Sequence, residues 1–211
     1  MFTDRTEGGR QLAEVLESRG VEADIVLAIP RGGLPVGRAV ADALDLPLDV
    51  VVARKLGAPG NPELAVGAVG ADGATWINDD LVASLGVTEG YLDDERERQA
   101  EAAREKAARY RGDRPPLDLR GKTALVVDDG IATGATTLAC VRTTYAAGAD
   151  RVIVAAPVAP PDSVEMLERE ADDVICVETP AYFGAVGRFY REFGQVPDEE
   201  AVQYLDRERG R

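Results

Sequence analysis

At 211 residues the chain has room for one sizeable core and a small appendage, and 45% of its residues are apolar. It has no histidine and only two cysteines, far apart, which excludes a zinc site and a histidine-based triad. A net charge of −14 disfavours nucleic acid and anionic membrane as partners, and neither a signal peptide nor a bilayer-spanning run is present, so the expectation is a soluble, cytoplasmic protein.

From the N-terminus, Arg5 to Ser18 carries Leu12, Val15 and Leu16 on one side and reads as a helix. Ala23 to Ile29 reads as a strand and Gly33 to Leu44 as the helix after it, which makes Arg31-Gly32-Gly33 a strand-to-helix turn. A second strand, Leu48 to Ala53, leads into Arg54-Lys55 and the run Leu56-Gly-Ala-Pro-Gly-Asn-Pro-Glu63. That Gly and Pro content predicts a mobile loop over about 54–67. Lys55 is one of three lysines against 21 arginines, so a lysine placed in this loop is notable.

Val66 to Val69 and Ala74 to Ile77 read as an antiparallel ribbon around Gly70-Ala-Asp-Gly73, and the ribbon carries the loop. Thr88 to Tyr110 reads as a long helix, with Leu92, Ala100, Ala103, Ala107 and Tyr110 at helical spacing. Asp94/Arg98 and Glu105/Arg109 stand at i,i+4 on a solvated face, and Arg114-Pro-Pro116 ends the helix.

The most informative stretch follows. Ala124 to Val127 is an apolar, β-branched run suited to a strand buried on both faces of a parallel sheet. It ends in Asp128 and Asp129, and small residues from Gly130 to Ala135 lead into a helix starting near Gly134. The first N–H groups of such a helix have no partner within it and favour a phosphate. Carboxylates repel phosphate, so the aspartates are expected to face neutral hydroxyls, and together the two features describe a sugar-phosphate cradle. An acidic pair standing alone would read as a helix cap; the Ala132-Thr-Gly-Ala-Thr136 that follows argues for a ligand.

Cys140 falls in this helix. Arg151 to Ala156 and Asp173 to Val177 read as further strands around a helix from Asp162 to Ala171, and Cys176 lies in the last strand. Both cysteines have apolar neighbours and read as reduced core residues. Strand and helix alternate throughout, which predicts an α/β fold: a doubly wound, Rossmann-like parallel sheet of about five strands flanked by helices, with ligands at the carboxyl ends of the strands. Residues 1–178 form the core, and 179–211 form a tail holding Tyr182, Phe183, Phe189, Tyr190 and Phe193.

Val126-Val-Asp-Asp-Gly-Ile-Ala-Thr-Gly-Ala-Thr136 resembles the phosphoribosyl-pyrophosphate signature of the type I phosphoribosyltransferases. The resemblance implies that Asp128 and Asp129 hold the ribose 2′- and 3′-hydroxyls, while Ala132, Thr133, Gly134, Ala135 and Thr136 wrap the 5′-phosphate. Ile29-Pro-Arg-Gly-Gly33 resembles the family's pyrophosphate loop, where a cis peptide is frequent, and so assigns Arg31, Gly32 and Gly33 to the leaving group. The loop opening at Arg54 and Lys55 is similar to the one that closes over bound substrates. A small variable hood near the termini stacks on the base in this family, which makes Phe183 a candidate platform; packing of the tail onto the core accounts for its aromatics equally well.

The implied activity is transfer of the 5-phosphoribosyl group to a nitrogen of a nucleobase-like acceptor, with release of pyrophosphate. Mg²⁺ is expected on ligand oxygens and water, with no direct protein ligand. Arg31, Arg54, Lys55, two helix N-termini and Mg²⁺ would locally reverse the overall negative charge. Family analogy further implies a homodimer. The position matching Ala132 is an aspartate in the 6-oxopurine enzymes, whereas the adenine enzymes tolerate alanine, so hypoxanthine and guanine are disfavoured and adenine is a reasonable acceptor. The alternative is a non-catalytic sensor of phosphoribosyl pyrophosphate or a nucleotide. A hydrolase using the same cradle ranks last for want of a nucleophile. The acidic, lysine-poor composition also suits a salty cytoplasm.

Overall fold

A computed structural model of the chain describes residues 1–112, 114 and 117–206; Pro115 and Pro116, expected to end the long helix, lie outside the described residues. Helix α1 (Arg5–Ser18) starts where the side chain of Asp4 accepts a hydrogen bond from the Glu7 amide, and it buries Leu12 and Leu16. Strand β1 (Ile25–Ala28) leads into α2 (Gly33–Ala43), followed by β2 (Leu48–Val50). Later come β6 (Thr123–Val127), α5 (Ala135–Ala146), β7 (Arg151–Val158), α6 (Pro161–Leu167) and β8 (Asp173–Glu178). These strands form one parallel sheet in the order β2-β1-β6-β7-β8, with Ala28 opposite Val127 and Val127 opposite Ala155.

Alternate residues of the sheet feed two cores, which is why β1, and β6 and β7 after their first residue, are apolar without a break, whereas the edge strand β2 admits Asp49. Val26, Ala28, Leu125, Val127, Ile153 and Ala155 pack with Leu12, Leu16, Val36 and Val40 of α1 and α2. Leu27, Ala124, Val126, Val152 and Val154 pack on the other face with Cys140 and Val141 of α5 and Leu167 of α6. The α/β doubly wound architecture expected from the sequence is therefore observed.

The segment expected to be a mobile loop is instead strand. β3 (Ala53–Ala58), β4 (Asn61–Gly70) and β5 (Thr75–Ile77) form a separate antiparallel sheet in that order, turning at Pro59-Gly60 with Gly60 at φ 74°. Register shifts on both sides of Gly57 absorb the Gly and Pro residues. A Cβ on Gly57 would fall 2.7 Å from Pro62 Cα, so the bulge needs glycine there. Leu56, Val66 and Val69 then bury against Ala100. The β4–β5 ribbon matches the reading from the sequence, with Val69 opposite Thr75. Trp76 of β5 stacks under Arg142 of α5, with the guanidinium carbon 3.4 Å from the ring centre.

Two helices were not foreseen. α3 (Asp79–Leu85) is capped by Asn78, which accepts from the Leu81 amide, and it ends at Gly86 in the left-handed conformation. α4 (Glu89–Arg111) follows, capped by Thr88. The i,i+4 pairs expected on it do not form: Arg98 pairs with Glu95, which is buried, and Arg109 reaches Asp198 at 3.2 Å. In the tail, a short 3₁₀ turn (Val186–Phe189) precedes the second unforeseen helix, α7 (Asp198–Asp206), whose Ala201 and Leu205 join the core of α1 and α2. Phe2 is bridged to Tyr190, donating to the Phe189 carbonyl and accepting from the Arg191 amide. No helix among the described residues is long and apolar enough to cross a membrane.

Candidate active site

β1 and β6 are neighbours, so the turns that leave them lie side by side at the carboxyl edge of the sheet. Asp128 and Asp129 leave β6. Asp128 accepts the Asp129 amide at 2.8 Å. Asp129 Oδ2 accepts from Arg5 Nε at 2.7 Å, with 14% and 12% of the two side chains exposed. Arg5 also donates to the Gly194 carbonyl at 2.8 Å and lies 4.0 Å over the Phe193 ring. The Tyr190 hydroxyl donates to the Asp129 carbonyl at 2.5 Å. Tyr190 of the tail and Arg5, the first residue of α1, therefore hold Asp129 in place, with Phe193 and Gly194 fixing Arg5.

The turn after β1 presses against this pair. A Cβ on Gly32 would lie 2.1 Å from Asp129 Oδ2, and one on Gly33 2.7 Å from the Val127 carbonyl, so no side chain fits at either position. The Pro30–Arg31 peptide is cis. Arg31 is partly exposed and faces Asp198 of α7 at 3.4 Å. Asp198 also accepts from Tyr110 at 3.0 Å and pairs with Arg109. These three partners outweigh its desolvation and hold its carboxyl below the usual range.

On the other side of the acids, Gly130 leads to Ile131, whose amide donates to Val158, and Ser163 Oγ donates to the Ala132 carbonyl at 2.6 Å. Gly134 sits at φ 75°, where a Cβ would fall 2.4 Å from Met166 Cε. α5 starts at once afterwards with no side-chain cap, and Ala132, Thr133, Ala135 and Thr136 are exposed around its open N-terminus. Amides and hydroxyls here are arranged for an oxyanion. The N-terminus of α2 beside it also lacks a side-chain cap.

Lys106 of α4 was missed. It is half-buried and donates to the Pro30 carbonyl at 3.2 Å. Desolvation holds its pKa below the ordinary lysine value, and the nearby Arg54 and Arg31 push the same way against Cys140 and Asp128. The rarity of lysine that makes Lys55 notable applies equally to Lys106. Arg5, Tyr190 and Asp198 gave no local signal, because their partners lie 61 to 167 residues away in sequence. Asp128 has its pKa raised well above the carboxylate range, by burial first and by the adjacent Asp129 second.

Arg54 and Lys55 occupy the exposed positions of β3, and Arg54 donates to Gln99 of α4 at 3.1 Å. Successive strand residues point to opposite faces, and it is Arg54 whose side chain turns towards α4, the helix that also carries Lys106. Phe183 stacks on Phe189 with centroids 5.4 Å apart and packs with Phe2, Val158 and Tyr190. One ring face is thus taken by tail packing, the other role its sequence position allowed. Among the described residues no cluster of three or more His, Cys, Asp or Glu is grouped to hold a metal. Two adjacent carboxylates, one of them bound to Arg5, fit an ion that arrives mostly coordinated by ligand oxygens and water.

Comparison with known proteins identifies the family. The family model for the phosphoribosyl transferase domain matches residues 6–191. The chain belongs to that family. Two Mycobacterium tuberculosis proteins, each named "Putative phosphoribosyl transferase", MT0597 from strain CDC 1551 / Oshkosh and Rv0571c from strain ATCC 25618 / H37Rv, are 46% identical to it over 207 residues. The match takes in 98% of this chain and 47% of theirs, so the chain spans about half the length of these curated relatives. The crystal structure of TT1426 from Thermus thermophilus superposes with a TM-score of 0.89 at 43% identity, covering 97% of each chain.

Proposed function

We propose that the protein transfers the 5-phosphoribosyl group of phosphoribosyl pyrophosphate to a ring nitrogen of a nucleobase-like acceptor and releases pyrophosphate. One observation carries this reading: the acidic pair Asp128-Asp129 lies between the open N-terminus of α5 and the tight Arg31-Gly32-Gly33 turn. The α5 end takes the 5′-phosphate through the amides and hydroxyls of Ala132 to Thr136. The aspartates take the ribose hydroxyls, and Arg31, with the amides of Gly32 and Gly33, takes the pyrophosphate. Lys106 and Arg54 add positive charge on the leaving-group side.

As the bond to pyrophosphate breaks, positive charge develops at the anomeric carbon. A carboxylate at the ribose stabilises it electrostatically, and fixed groups do so without reorganising. Mg²⁺ is the expected cofactor and would supply neutralisation of the departing pyrophosphate. The β3–β4 hairpin, which carries Arg54 and Lys55, would close over the bound substrates and exclude water. Alanine at 132 leaves no carboxylate there to serve a 6-oxopurine, and adenine is the first acceptor to test. A cytoplasmic homodimer completes the proposal; both cysteines are free, and burial pushes each thiol up to about 12.

A sensor that binds phosphoribosyl pyrophosphate without turnover is the second reading, and the ion pair of Arg5 with Asp129 favours it, since a carboxylate already engaged is less available to the ribose. The test is pyrophosphate release from phosphoribosyl pyrophosphate with Mg²⁺ and a panel of purine and pyrimidine bases. Base-dependent release that is lost in Asp128→Asn and Asp129→Asn establishes the transferase. Tight binding by calorimetry with no release for any base establishes the sensor.

A further inference from the structure

Behind the candidate active site, α1, α2 and α7 line a half-open pocket of about 570 Å³ whose walls include Thr6, Arg10, Pro35, Arg38, Asp42 and Tyr204. Its charge is unbalanced. Arg38 is 6% exposed and binds Asp42 through Nη2 at 2.5 Å, while its Nε has no acceptor. Among the described residues it is the single buried side-chain atom left without a partner. Buried donors are almost always paired, so such an orphan marks a place where something is missing. Arg10, on the facing helix, is exposed and makes no ion pair or hydrogen bond among the described residues. Two guanidinium groups thus line the pocket against one carboxylate, which only Arg38 engages, in a protein whose net charge is −14.

We propose that this cavity binds a small phosphate-bearing anion at a site separate from the cradle at α5. A planar guanidinium matches phosphate oxygens two at a time, and the Thr6 hydroxyl supplies another donor. The volume exceeds what a lone halide or carboxylate fills and is of the size that holds a phosphorylated small molecule.

The position ties the cavity to the active site. Thr6 follows Arg5, which holds Asp129. Pro35 lies in the first turn of α2, just after the Arg31-Gly32-Gly33 turn. Tyr204 belongs to α7, whose first residue, Asp198, pairs with Arg31. An anion that draws these three helices together acts on Arg5 and Arg31 at once, so the site is an effector site.

Calorimetric titration with inorganic phosphate tests this, using a Thr133→Val, Thr136→Val double variant to weaken the cradle. That variant is expected to retain one phosphate per chain. Adding Arg10→Gln, at an exposed position where folding is not at risk, is expected to lower the remaining affinity about tenfold, and Arg10→Lys to restore part of it. A nucleoside 5′-monophosphate as second probe separates the sources: tighter binding than phosphate assigns a phosphorylated metabolite, and equal binding assigns free phosphate. If the cradle variant loses all phosphate binding, or Arg10→Gln leaves the affinity of its parent unchanged, the site does not exist. These outcomes are independent of whether any base triggers pyrophosphate release.

Discussion

Asp128 and Asp129 are adjacent in the chain but meet different surroundings. Asp129 is paired with Arg5 across 2.7 Å, whereas Asp128 has no ion-pair partner among the described residues and feels the positive charge of Lys106. A carboxyl whose folded pKa is raised favours folding only while protonated. That contribution is complete below the unfolded value of roughly 4 and is lost as pH rises through the folded value. Asp128→Asn, which cannot ionise, is therefore expected to melt higher than the parent at pH 7, with the gap closing towards pH 4. Thermal melts across that range check this, and equal gaps at all pH values would contradict the raised pKa. The same substitution is expected to lower base-dependent pyrophosphate release by about a hundredfold. Arg5→Gln strands a mostly buried carboxylate and is expected to cost about 2–3 kcal/mol in urea unfolding. The acids and the small residues after them were legible because strand, charge and turn are consecutive in sequence. The Arg5 contact was not, because no spacing rule links residues 124 apart.

Among the elements, the central strands β1, β6 and β7 announced themselves through apolar runs, which only a strand covered on both faces requires. The β3–β4 hairpin did not. Its Gly and Pro residues have the composition of a loop, and only the three-dimensional pairing shows that they form a bulge around Gly57. α7 was hidden because Ala201 and Leu205 are too few to set a period, although Pro197 followed by Asp198, Glu199 and Glu200 is a helix-start signal that was available. Leu205 is 3% exposed within the core shared with α1 and α2. Leu205→Ala is expected to cost about 2–4 kcal/mol in chemical denaturation, by the lost burial and the cavity left. A cost near zero would mean that α7 is not packed as described.

For the whole molecule, the balance of charge sets the response to salt. A net charge of −14 repels itself in the compact state, and many of the ion pairs, such as Arg104–Glu101 and Arg120–Asp118, are exposed and contribute little. Screening is therefore expected to raise the melting temperature between about 0.05 and about 0.5 M NaCl. A fall over that interval would show that surface pairs outweigh the repulsion. The architecture was legible at this scale from the alternation of strand and helix, whereas the binding of the tail to α1 and to Asp129 required the coordinates.

The chain's single tryptophan, Trp76, sits on the small sheet while the arginine stacked on it belongs to the helix that opens at the phosphate cradle. Emission from that indole thus reports directly on the distance between hairpin and cradle, giving a label-free optical gauge of closure with no competing fluorophore of its kind to subtract.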